Sequence, residues 1–298
     1  VTASVLKQGA RFQVKVADLL RAGMIVQSAD DLLFLDSLDG VAADYDAGRQ
    51  QLLLTVLPRY LPAQTIGQGD RVFRPAMRDM GGLASHSRFV HVYLNGLYWG
   101  TYDLSEDPSE TFAKTVLGGN DEDFDVVDQG VIKNGTINFY NSMISLPAPA
   151  TLPQYEQYHQ YLNMPEFIDY MLLHFYIGHQ DWSTTVTKNW AAVRKRVPGP
   201  EGTFRYLPWD GECILLNEDV NRVTVSTPPS GLHTKLIANP EYRLAFADRI
   251  HRHMVAPDGA LIPTANIARW QKWEDIMDKP IVAESARWGD YRRDVHRY

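Results

Sequence analysis

Apolar and polar residues alternate with a period of two along residues 88–104, RFVHVYLNGLYWGTYDL. Phe89, His91 and Tyr93 fall on one face of this pattern, and the pair Asn95-Gly96 interrupts it. An Asn-Gly pair between two alternating runs is a strong short-range signal of a β-hairpin with a two-residue turn. We therefore expect two antiparallel strands that are joined at residues 95–96.

Helix signals dominate the rest of the chain. The stretch DPSETFAKTVLGG offers Asp107 or Ser109 as a cap at its start and Gly118-Gly119 as a stop at its end. Residues 164–178, MPEFIDYMLLHFYIG, predict an apolar helix, and the last third of the chain predicts further helices. NWAAVRKR and TFRYLPWD predict two strands that are joined by the turn VPGPEG.

The first 67 residues have a different texture. They hold a short alternating run at Phe12, Val14 and Val16, a small amphipathic helix before Gly23, and a second strand, QLLLTV. The stretch PRYLPAQTIGQGD that follows carries two Pro and two Gly, which is typical of a domain boundary. We therefore predict a strand-rich α/β segment over residues 1–67 and a two-lobed α+β domain over residues 68–298.

Composition excludes several classes of function. The 298-residue chain is 45% hydrophobic, which is enough to bury a core. Its formal net charge of −7 gives no general attraction to nucleic acid or to an anionic membrane, so we expect neither as a partner. It contains no run of 18 apolar residues, so we expect no membrane span. Its single cysteine, Cys213, excludes an intrachain disulfide and a multi-cysteine zinc site.

The most informative pattern is an Asp beside a Trp at two places. GHQDWSTTVTKNW places Asp181 before an Asn at position 189, and PWDGE places Asp210 before Glu212. Carboxylate and amide oxygens are the ligands that Mg²⁺ prefers, so these residues predict a site that holds nucleotide phosphates through a metal. The alternative interpretation is two buried Trp residues whose neighbouring acids cap turns. His86, His91 and His179 lack the HExxH spacing, so a zinc site is not expected.

Several motifs in a fixed order resemble the CotH kinase family of spore-coat and surface proteins. They are RFVHVYLNGLYWGTYDLSE, VLGGNDEDFDVV, EFIDYMLLHFYIGHQDW, KNWAAVRKR, FRYLPWDGE and ESARWGD, and together they span about residues 71–298. The resemblance implies an atypical protein-kinase-like fold with two lobes. It also implies binding of ATP with Mg²⁺ or Mn²⁺, and transfer of phosphate to Ser or Thr of surface or coat proteins.

The same resemblance implies roles for individual residues. Asp181 takes the catalytic position, Asp210 the main metal position, and Asn189 and Glu212 further metal positions. Two further residues are candidates for contacts with the nucleotide: Glu106 after the hairpin, and Arg194 on the strand NWAAVRKR.

Three features depart from the family pattern. The interval from Asp181 to Asn189 is eight residues, which is longer than the link in ordinary kinases. The residues before 71 do not show the early strands of the first lobe, which is therefore expected to be incomplete. Lys114 and Lys133 are the only lysines between the linker and Asp181, and neither lies on an evident strand. A non-catalytic pseudokinase that acts in surface or coat assembly or adhesion therefore remains an alternative.

Residues 10–67 resemble the periplasmic N-terminal region of outer-membrane pilus ushers through DAGRQQLLLTVLP. This resemblance implies a binding module for complexes of pilus chaperones and subunits. The N-terminus VTASVLKQG lacks a signal-peptide pattern, so we interpret it as a mature terminus or the edge of a longer chain. The expected location is the periplasm, the cell surface or the medium of a bacterium.

Overall fold

The structure is a computed structural model that describes residues 69–94, 96–183 and 187–288, together with the backbone of three strands before residue 57. The predicted amphipathic helix before Gly23 and the predicted linker before residue 69 lie outside the described residues. So does most of the segment that resembles the pilus usher, whose binding role stays a prediction.

The described strands form two antiparallel sheets. The first sheet has five strands in the order β1-β3-β5-β4-β2, and the second has four in the order β7-β6-β8-β9. The strands are β1 Gln13–Lys15, β2 Met24–Ser28, β3 Leu52–Val56, β4 Ser87–Leu94, β5 Leu97–Glu106, β6 Phe124–Asp128, β7 Val131–Asn134, β8 Trp190–Lys195 and β9 Arg205–Pro208.

Nine α-helices lie in the described part of the chain, with short 3₁₀ turns at Asp121–Asp123 and Pro200–Gly202 and a π-helical turn at His251–Val255. The helices are α1 Gly69–Asp79, α2 Glu110–Leu117, α3 Asn138–Ser145, α4 Leu152–Tyr158, α5 Met164–Tyr176, α6 Ser230–Leu236, α7 Pro240–Ile250, α8 Pro263–Met277 and α9 Pro280–Trp288.

The predicted hairpin is confirmed as β4 and β5. The strands pair antiparallel, with Leu94 opposite Leu97 and a φ of +79° at Gly96 in the turn between them. A positive φ is strained for most side chains and unstrained for glycine, which explains the glycine at this position. The hairpin lies in the middle of the five-stranded sheet because β2 pairs with β4 and β3 pairs with β5. Strands from both sides of the predicted boundary near residue 68 therefore share one sheet.

The described residues fall into two compact units. The first takes its residues from 1–71, 85–107 and 268–298, and includes the five-stranded sheet. In this unit the buried guanidinium of Arg71 forms an ion pair with Asp103 and stacks over the rings of Phe89 and Trp273, at 4.3 and 4.9 Å from the ring centroids. Stacking and pairing together offset part of the cost of burying this charge.

The second unit, residues 72–84 and 108–267, contains the four-stranded sheet and the main core. Its central helix is α5, which is buried on all sides from Phe167 to His174. This stretch is mainly apolar, as expected for a helix inside a core, and its buried Asp169 forms an ion pair with Arg249. Asn163 caps α5 by accepting a hydrogen bond from the backbone N–H of Glu166. The predicted helix and the predicted strand pair β8-β9 are both confirmed.

The α+β class is confirmed, since both units combine strands and helices. The division of the chain at residues 67 and 68 into two domains stays a prediction. Within the described residues, no helix has the length and apolar composition that crossing a lipid bilayer requires.

Candidate functional site

Asp181 lies in the turn that follows α5. Two backbone hydrogen bonds hold this turn against the segment after β9: Gln180 N–H donates to the carbonyl of Cys213 at 2.8 Å, and Leu215 N–H donates to the carbonyl of Ile177 at 2.8 Å. The next residue, Trp182, is fully buried and donates its indole N–H to Tyr170 Oη at 2.8 Å. The buried Trp therefore anchors the turn, and the carboxylate of Asp181 stays 24% exposed.

Asn189 and Lys188 converge on the same oxygen of Asp181. The side-chain N–H of Asn189 donates to Oδ2 at 2.9 Å, and Lys188 Nζ lies 3.2 Å from Oδ2. Asn189 begins the approach to β8 in a left-handed conformation, with a φ of +63°. Asn tolerates this conformation better than most residues do. The long link between Asp181 and Asn189 thus leaves the two side chains in contact.

His179 contacts Asp181 from the buried side. Its side chain is fully buried, and Nε2 lies 3.1 Å from Asp181 Oδ1. The same nitrogen lies 3.0 Å from the backbone carbonyl oxygen of Asp210. One imidazole ring therefore touches both aspartates that the sequence singles out.

The Asp210 segment is held in a constrained conformation. Asp210 has a φ of +62°, and the following Gly211 is buried against the ring of Phe73. A Cβ at Gly211 would lie 2.5 Å from Phe73 Cδ1, so only glycine fits without a shift of the ring. Asn189 and Asp210 thus both have left-handed backbone conformations. Such conformations are strained in non-glycine residues, and they occur most often at functional sites, where the surrounding structure maintains them.

Three potential metal ligands lie close together near Asp181. A carboxylate oxygen of Asp181, a carboxylate oxygen of Glu212 and the sulfur of Cys213 all lie within 4.8 Å of one another. The predicted ligand Glu212 thus lies beside Asp181, and Asn189 is hydrogen-bonded to Asp181. The carboxylate of Asp210 is not part of this group, and its role as the main metal ligand stays a prediction. Two carboxylates suit a hard divalent cation, so Asp181 and Glu212 fit Mg²⁺ or Mn²⁺. The role of Asn189 as a metal ligand stays a prediction, because the contact that the structure shows is the donation of its amide N–H to Asp181.

The surroundings of Asp181 keep it ionised. Burial alone would raise the pKa of Asp181, but the hydrogen bond and charge interaction with His179, followed by those with Lys188, outweigh burial and hold the pKa well below its usual range. Arg222 adds a further positive charge nearby. Its guanidinium donates to the carbonyl of Trp182 at 2.6 Å, and burial lowers its pKa while Asp181 opposes that shift.

Glu106 lies at the end of β5, in the first unit. Its carboxylate accepts a hydrogen bond from the backbone N–H of His86 at 2.7 Å and contacts the ring Nδ1 of the same residue at 3.0 Å. These contacts fasten the segment before β4 to the end of β5. A role of Glu106 at the nucleotide stays a prediction.

Arg194 lies on β8 and makes contacts that stabilise the second sheet. Its Nε donates to Oδ2 of the fully buried Asp125 at 2.7 Å, and a second N–H donates to the carbonyl of Gly202 at 3.0 Å. The guanidinium also lies 3.7 Å from the ring centroid of Phe139. A role of Arg194 at phosphates stays a prediction, and the contacts that the structure shows are structural.

Sequence reasoning missed three neighbours of Asp181: His179, Lys188 and Arg222. His179 is separated from Asp181 by one residue, in the order His-x-Asp that also occurs in the catalytic loop of protein kinases, so this signal was available. Lys188 directly precedes Asn189. Its contact with Asp181 depends on the conformation of the residues between them, which no local pattern specifies. Arg222 comes from a distant loop, and no local pattern marks it.

Comparison with known proteins gives one family match. The model of the CotH kinase protein family matches residues 71–150, which include α2 and the hairpin and end before the turn that holds Asp181. No curated protein gave a significant match.

Two solved structures show weak similarity. The Helicobacter pylori proinflammatory kinase CtkA is 12% identical, with a TM-score of 0.30 over 83% of this chain and 87% of that one. The HipA–HipB toxin–antitoxin complex of Shewanella oneidensis MR-1 with its operator DNA is 11% identical, with a TM-score of 0.29 over 98% of this chain and 71% of that one. The resemblance found in the sequence is confirmed by the family match: over residues 71–150, the chain matches the CotH kinase protein family.

Proposed function

We propose that the protein is a metal-dependent protein kinase that transfers phosphate from ATP to Ser or Thr of other proteins. The observation that carries this proposal is the convergence of Asp181 and Glu212. These two carboxylates follow different elements, α5 and β9, and still approach within 4.8 Å of each other. Asn189 and Lys188 contact the same aspartate. The CotH family match supports the reaction class.

The residues present can perform the tasks that phosphoryl transfer requires of a protein. Catalysis of this reaction consists mainly of positioning and of stabilising charge. Lys188 and Arg222 supply positive charge beside Asp181, where phosphate oxygens would lie. Asp181, Glu212 and Asn189 would hold Mg²⁺ or Mn²⁺, with Asp210 as a further proposed ligand. These residues would place the positive charge of a bound metal beside the phosphate, and this charge would stabilise the negative charge that develops during transfer.

The low pKa of Asp181 bears on its catalytic role. A general base works best with a pKa near the working pH, and Asp181 is far below that. We therefore assign Asp181 the task of orienting the substrate hydroxyl through a hydrogen bond. Early removal of the hydroxyl proton is not needed, because the transition state of phosphoryl transfer is loose in most analyses.

Substrate class and location are finer proposals. Ser or Thr of a surface or coat protein, and a periplasmic, cell-surface or secreted location, follow from what the CotH resemblance implies. A contact of residues 10–67 with pilus chaperone–subunit complexes is not needed for this function.

The test is nucleotide binding followed by phosphate transfer. The melting temperature of the full chain would be measured with ATP, with and without Mg²⁺ or Mn²⁺, for the parent, Asp181→Asn, Glu212→Gln and the control Glu218→Gln. Glu218 is an exposed acid in the loop after β9. A ligand at 100 times its Kd adds about 2.7 kcal/mol of stability. We expect a metal-dependent shift in the parent and the control, and a much smaller shift in the two site variants.

Transfer would then be measured with γ-labelled ATP and Ser/Thr-containing protein substrates. If Asp181→Asn stays folded and loses phosphate transfer, the result supports the proposal that the protein is a kinase. Binding without transfer in the parent favours the pseudokinase alternative. A folded parent that binds no nucleotide with either metal overturns the proposal.

A further inference from the structure

The sulfur of Cys213 lies among the proposed metal ligands, and the proposed function gives it no role. This sulfur, a carboxylate oxygen of Asp181 and a carboxylate oxygen of Glu212 all lie within 4.8 Å of one another. All three residues are partly exposed, so an ion from solvent can reach them. Two hard oxygen donors and one soft sulfur donor therefore share the same small volume.

The backbone holds Cys213 next to Asp181. Gln180 N–H donates to the carbonyl of Cys213 at 2.8 Å. Gln180 directly precedes Asp181, so this bond fixes the cysteine backbone relative to the turn that carries the aspartate. The residue after the cysteine, Ile214, is buried in the core and anchors the segment after β9. The proximity of the two side chains therefore follows from the position of the backbone, and both side chains are short.

This set of donors suits zinc better than magnesium. Zn²⁺ binds Cys sulfur and Asp or Glu oxygen, and zinc sites with an open position combine three protein ligands with a water molecule. Mg²⁺ selects oxygen ligands. With Zn–S bonds of about 2.3 Å and Zn–O bonds of about 2.1 Å, the ligand atoms of a tetrahedral site lie roughly 3.5 Å apart. The three donors lie within 4.8 Å, so side-chain rotations that move each atom by about 1 Å bring them to this spacing.

The charges around the three donors permit a cation. Lys188 Nζ lies 3.2 Å from Oδ2 of Asp181, and Arg222 is a second positive group nearby. The carboxylates of Asp181 and Glu212 and a thiolate at Cys213 outweigh these two positive charges. As the sulfur–metal bond forms, the thiol loses its proton to solvent, and the thiolate supplies the electron pair of the new bond.

We infer that Cys213 completes a Zn²⁺ site with Asp181 and Glu212, and that Zn²⁺ bound there excludes Mg²⁺ and Mn²⁺ from the same carboxylates. For a given set of ligands, Zn²⁺ binds more tightly than Mn²⁺, and a thiolate ligand increases this difference. Zn²⁺ is therefore an inhibitor of the proposed kinase. Zinc binding is argued from geometry alone, whereas inhibition rests on the proposed function.

The first test uses the single cysteine of the chain. A bond between sulfur and Cd²⁺, a probe for Zn²⁺, gives an ultraviolet charge-transfer band, and Cys213 is the only thiol that can produce it. The metal-free full chain would be titrated with Cd²⁺. We expect a saturable band in the parent and in Glu218→Gln, whose substitution changes an exposed acid in the same loop. Cys213→Ser should give no band.

The affinity of the same titration tests the carboxylate ligand. Partners that only orient metal ligands contribute roughly 10–100-fold to metal affinity, so the loss of a ligand should cost at least about 10-fold. Glu212→Gln should therefore bind Cd²⁺ about 10-fold or more weakly than the matched control Glu218→Gln.

The second test is competition between two metals. Electron paramagnetic resonance reports Mn²⁺ bound to the protein without nucleotide, and Zn²⁺ is added as the competitor. Cys213→Ser keeps an oxygen at this position and loses the sulfur, so displacement of Mn²⁺ should require about 10-fold or more Zn²⁺ than in the parent. Circular dichroism checks that the variants are folded.

Protection of the thiol provides a test that does not need Cys213→Ser to fold. Iodoacetamide alkylates a partly exposed thiol, and a metal bound to the sulfur blocks this reaction. Zn²⁺ should slow alkylation of the native parent and of Glu218→Gln about 10-fold or more, and should slow it much less in Glu212→Gln. Mass spectrometry measures the alkylated fraction.

The outcomes separate this inference from the proposed function. If the parent transfers no phosphate, the kinase proposal fails, and the sulfur band and the alkylation rates still decide the zinc site. In an active parent, Zn²⁺ should inhibit transfer and additional Mn²⁺ should relieve the inhibition; transfer that Zn²⁺ does not inhibit overturns the inhibitory role. The zinc site is overturned if the folded parent gives no sulfur band, or if Zn²⁺ leaves its alkylation rate unchanged. Equal displacement of Mn²⁺ in the parent and in folded Cys213→Ser also overturns it.

Discussion

The side-chain N–H of Asn189 donates to Oδ2 of Asp181 at 2.9 Å, across an interval of eight residues. A longer interval than in ordinary kinases is therefore compatible with contact between these two positions. Asn189 has a left-handed conformation, with a φ of +63°, where the chain enters β8. Substitutions at Asn189 can separate the effect of its backbone conformation on stability from the effect of its hydrogen bond.

Asn189→Ala should destabilise the protein more than Asn189→Gly. Both substitutions remove the bond to Asp181, but only Ala places a Cβ in the left-handed conformation, which costs roughly 1–2 kcal/mol for an L-residue. Urea unfolding of the parent and both variants measures the difference. Mn²⁺ affinity should fall in both, because both lose the amide. Equal unfolding free energies of the two variants would show that the left-handed conformation is not maintained in solution.

Arg194→Met should destabilise the second sheet without weakening ATP binding by the folded fraction. The substitution leaves the fully buried carboxylate of Asp125 without its closest cation, and breaking a buried ion pair costs about 3–5 kcal/mol. The matched control is Arg196→Met, because Arg196 lies 3.8 Å from the same carboxylate and its side chain is 36% exposed. This control should cost about 1 kcal/mol or less. Urea unfolding and ATP titration test both. Loss of ATP affinity in a stable Arg194→Met would instead support the predicted phosphate contact.

Gly211→Ala should destabilise the protein by about 1–3 kcal/mol and shift the two acidic residues on either side of it. The reason is steric, since the added Cβ would lie 2.5 Å from Phe73 Cδ1. Phe73→Leu removes the ring and should rescue part of the loss, so the double variant should be more stable than the sum of the single changes predicts. Thermal and urea unfolding of the four proteins gives the coupling. Strictly additive effects would contradict the steric contact.

Stability should decrease as the pH falls from about 6.5 toward 4, because of His233. Burial lowers the pKa of His233 to about 4, and its ring Nδ1 lies 2.8 Å from Tyr242 Oη. Over this pH range the unfolded chain binds a proton that the folded chain excludes, so the free energy of unfolding rises with pH. The contribution above pH 6.5 is up to about 3 kcal/mol. Urea unfolding at several pH values should show this slope in the parent and a smaller one in His233→Gln. An identical slope in both would assign the effect to other groups.

Local elements could be predicted from the sequence because their causes are local. The Asn-Gly turn fixed the hairpin, Ser109 capped α2 as one of two predicted candidates, and the apolar run at 164–178 became the buried helix α5. Each depends on hydrogen bonds or side-chain patterns within a few residues. The pairing of β2 and β3 with the hairpin could not be predicted from the sequence, because long stretches of chain separate the paired strands.

The candidate site was predictable in its residue types and only partly in its geometry. Asp181, Asn189 and Glu212 were expected near one another, and the structure brings them together. The position of Cys213 beside the two carboxylates was not expected. From the strand pattern, Arg194 was predicted to contact phosphates. In the structure it pairs with Asp125, and this contact could not be predicted because the two residues are 69 positions apart in the chain.

By itself, the sequence determined the α+β class, the main local elements and the two acidic segments that supply the candidate ligands. These follow from periodicity, turn chemistry and residue type, which act over short distances along the chain. Only the tertiary structure decided which side of Asp181 meets His179, that His174 stands behind that ring, and that Phe73 leaves room only for Gly211. Such contacts depend on how buried rings from separate segments fill one interior, and packing of this kind has no signature in the order of residues.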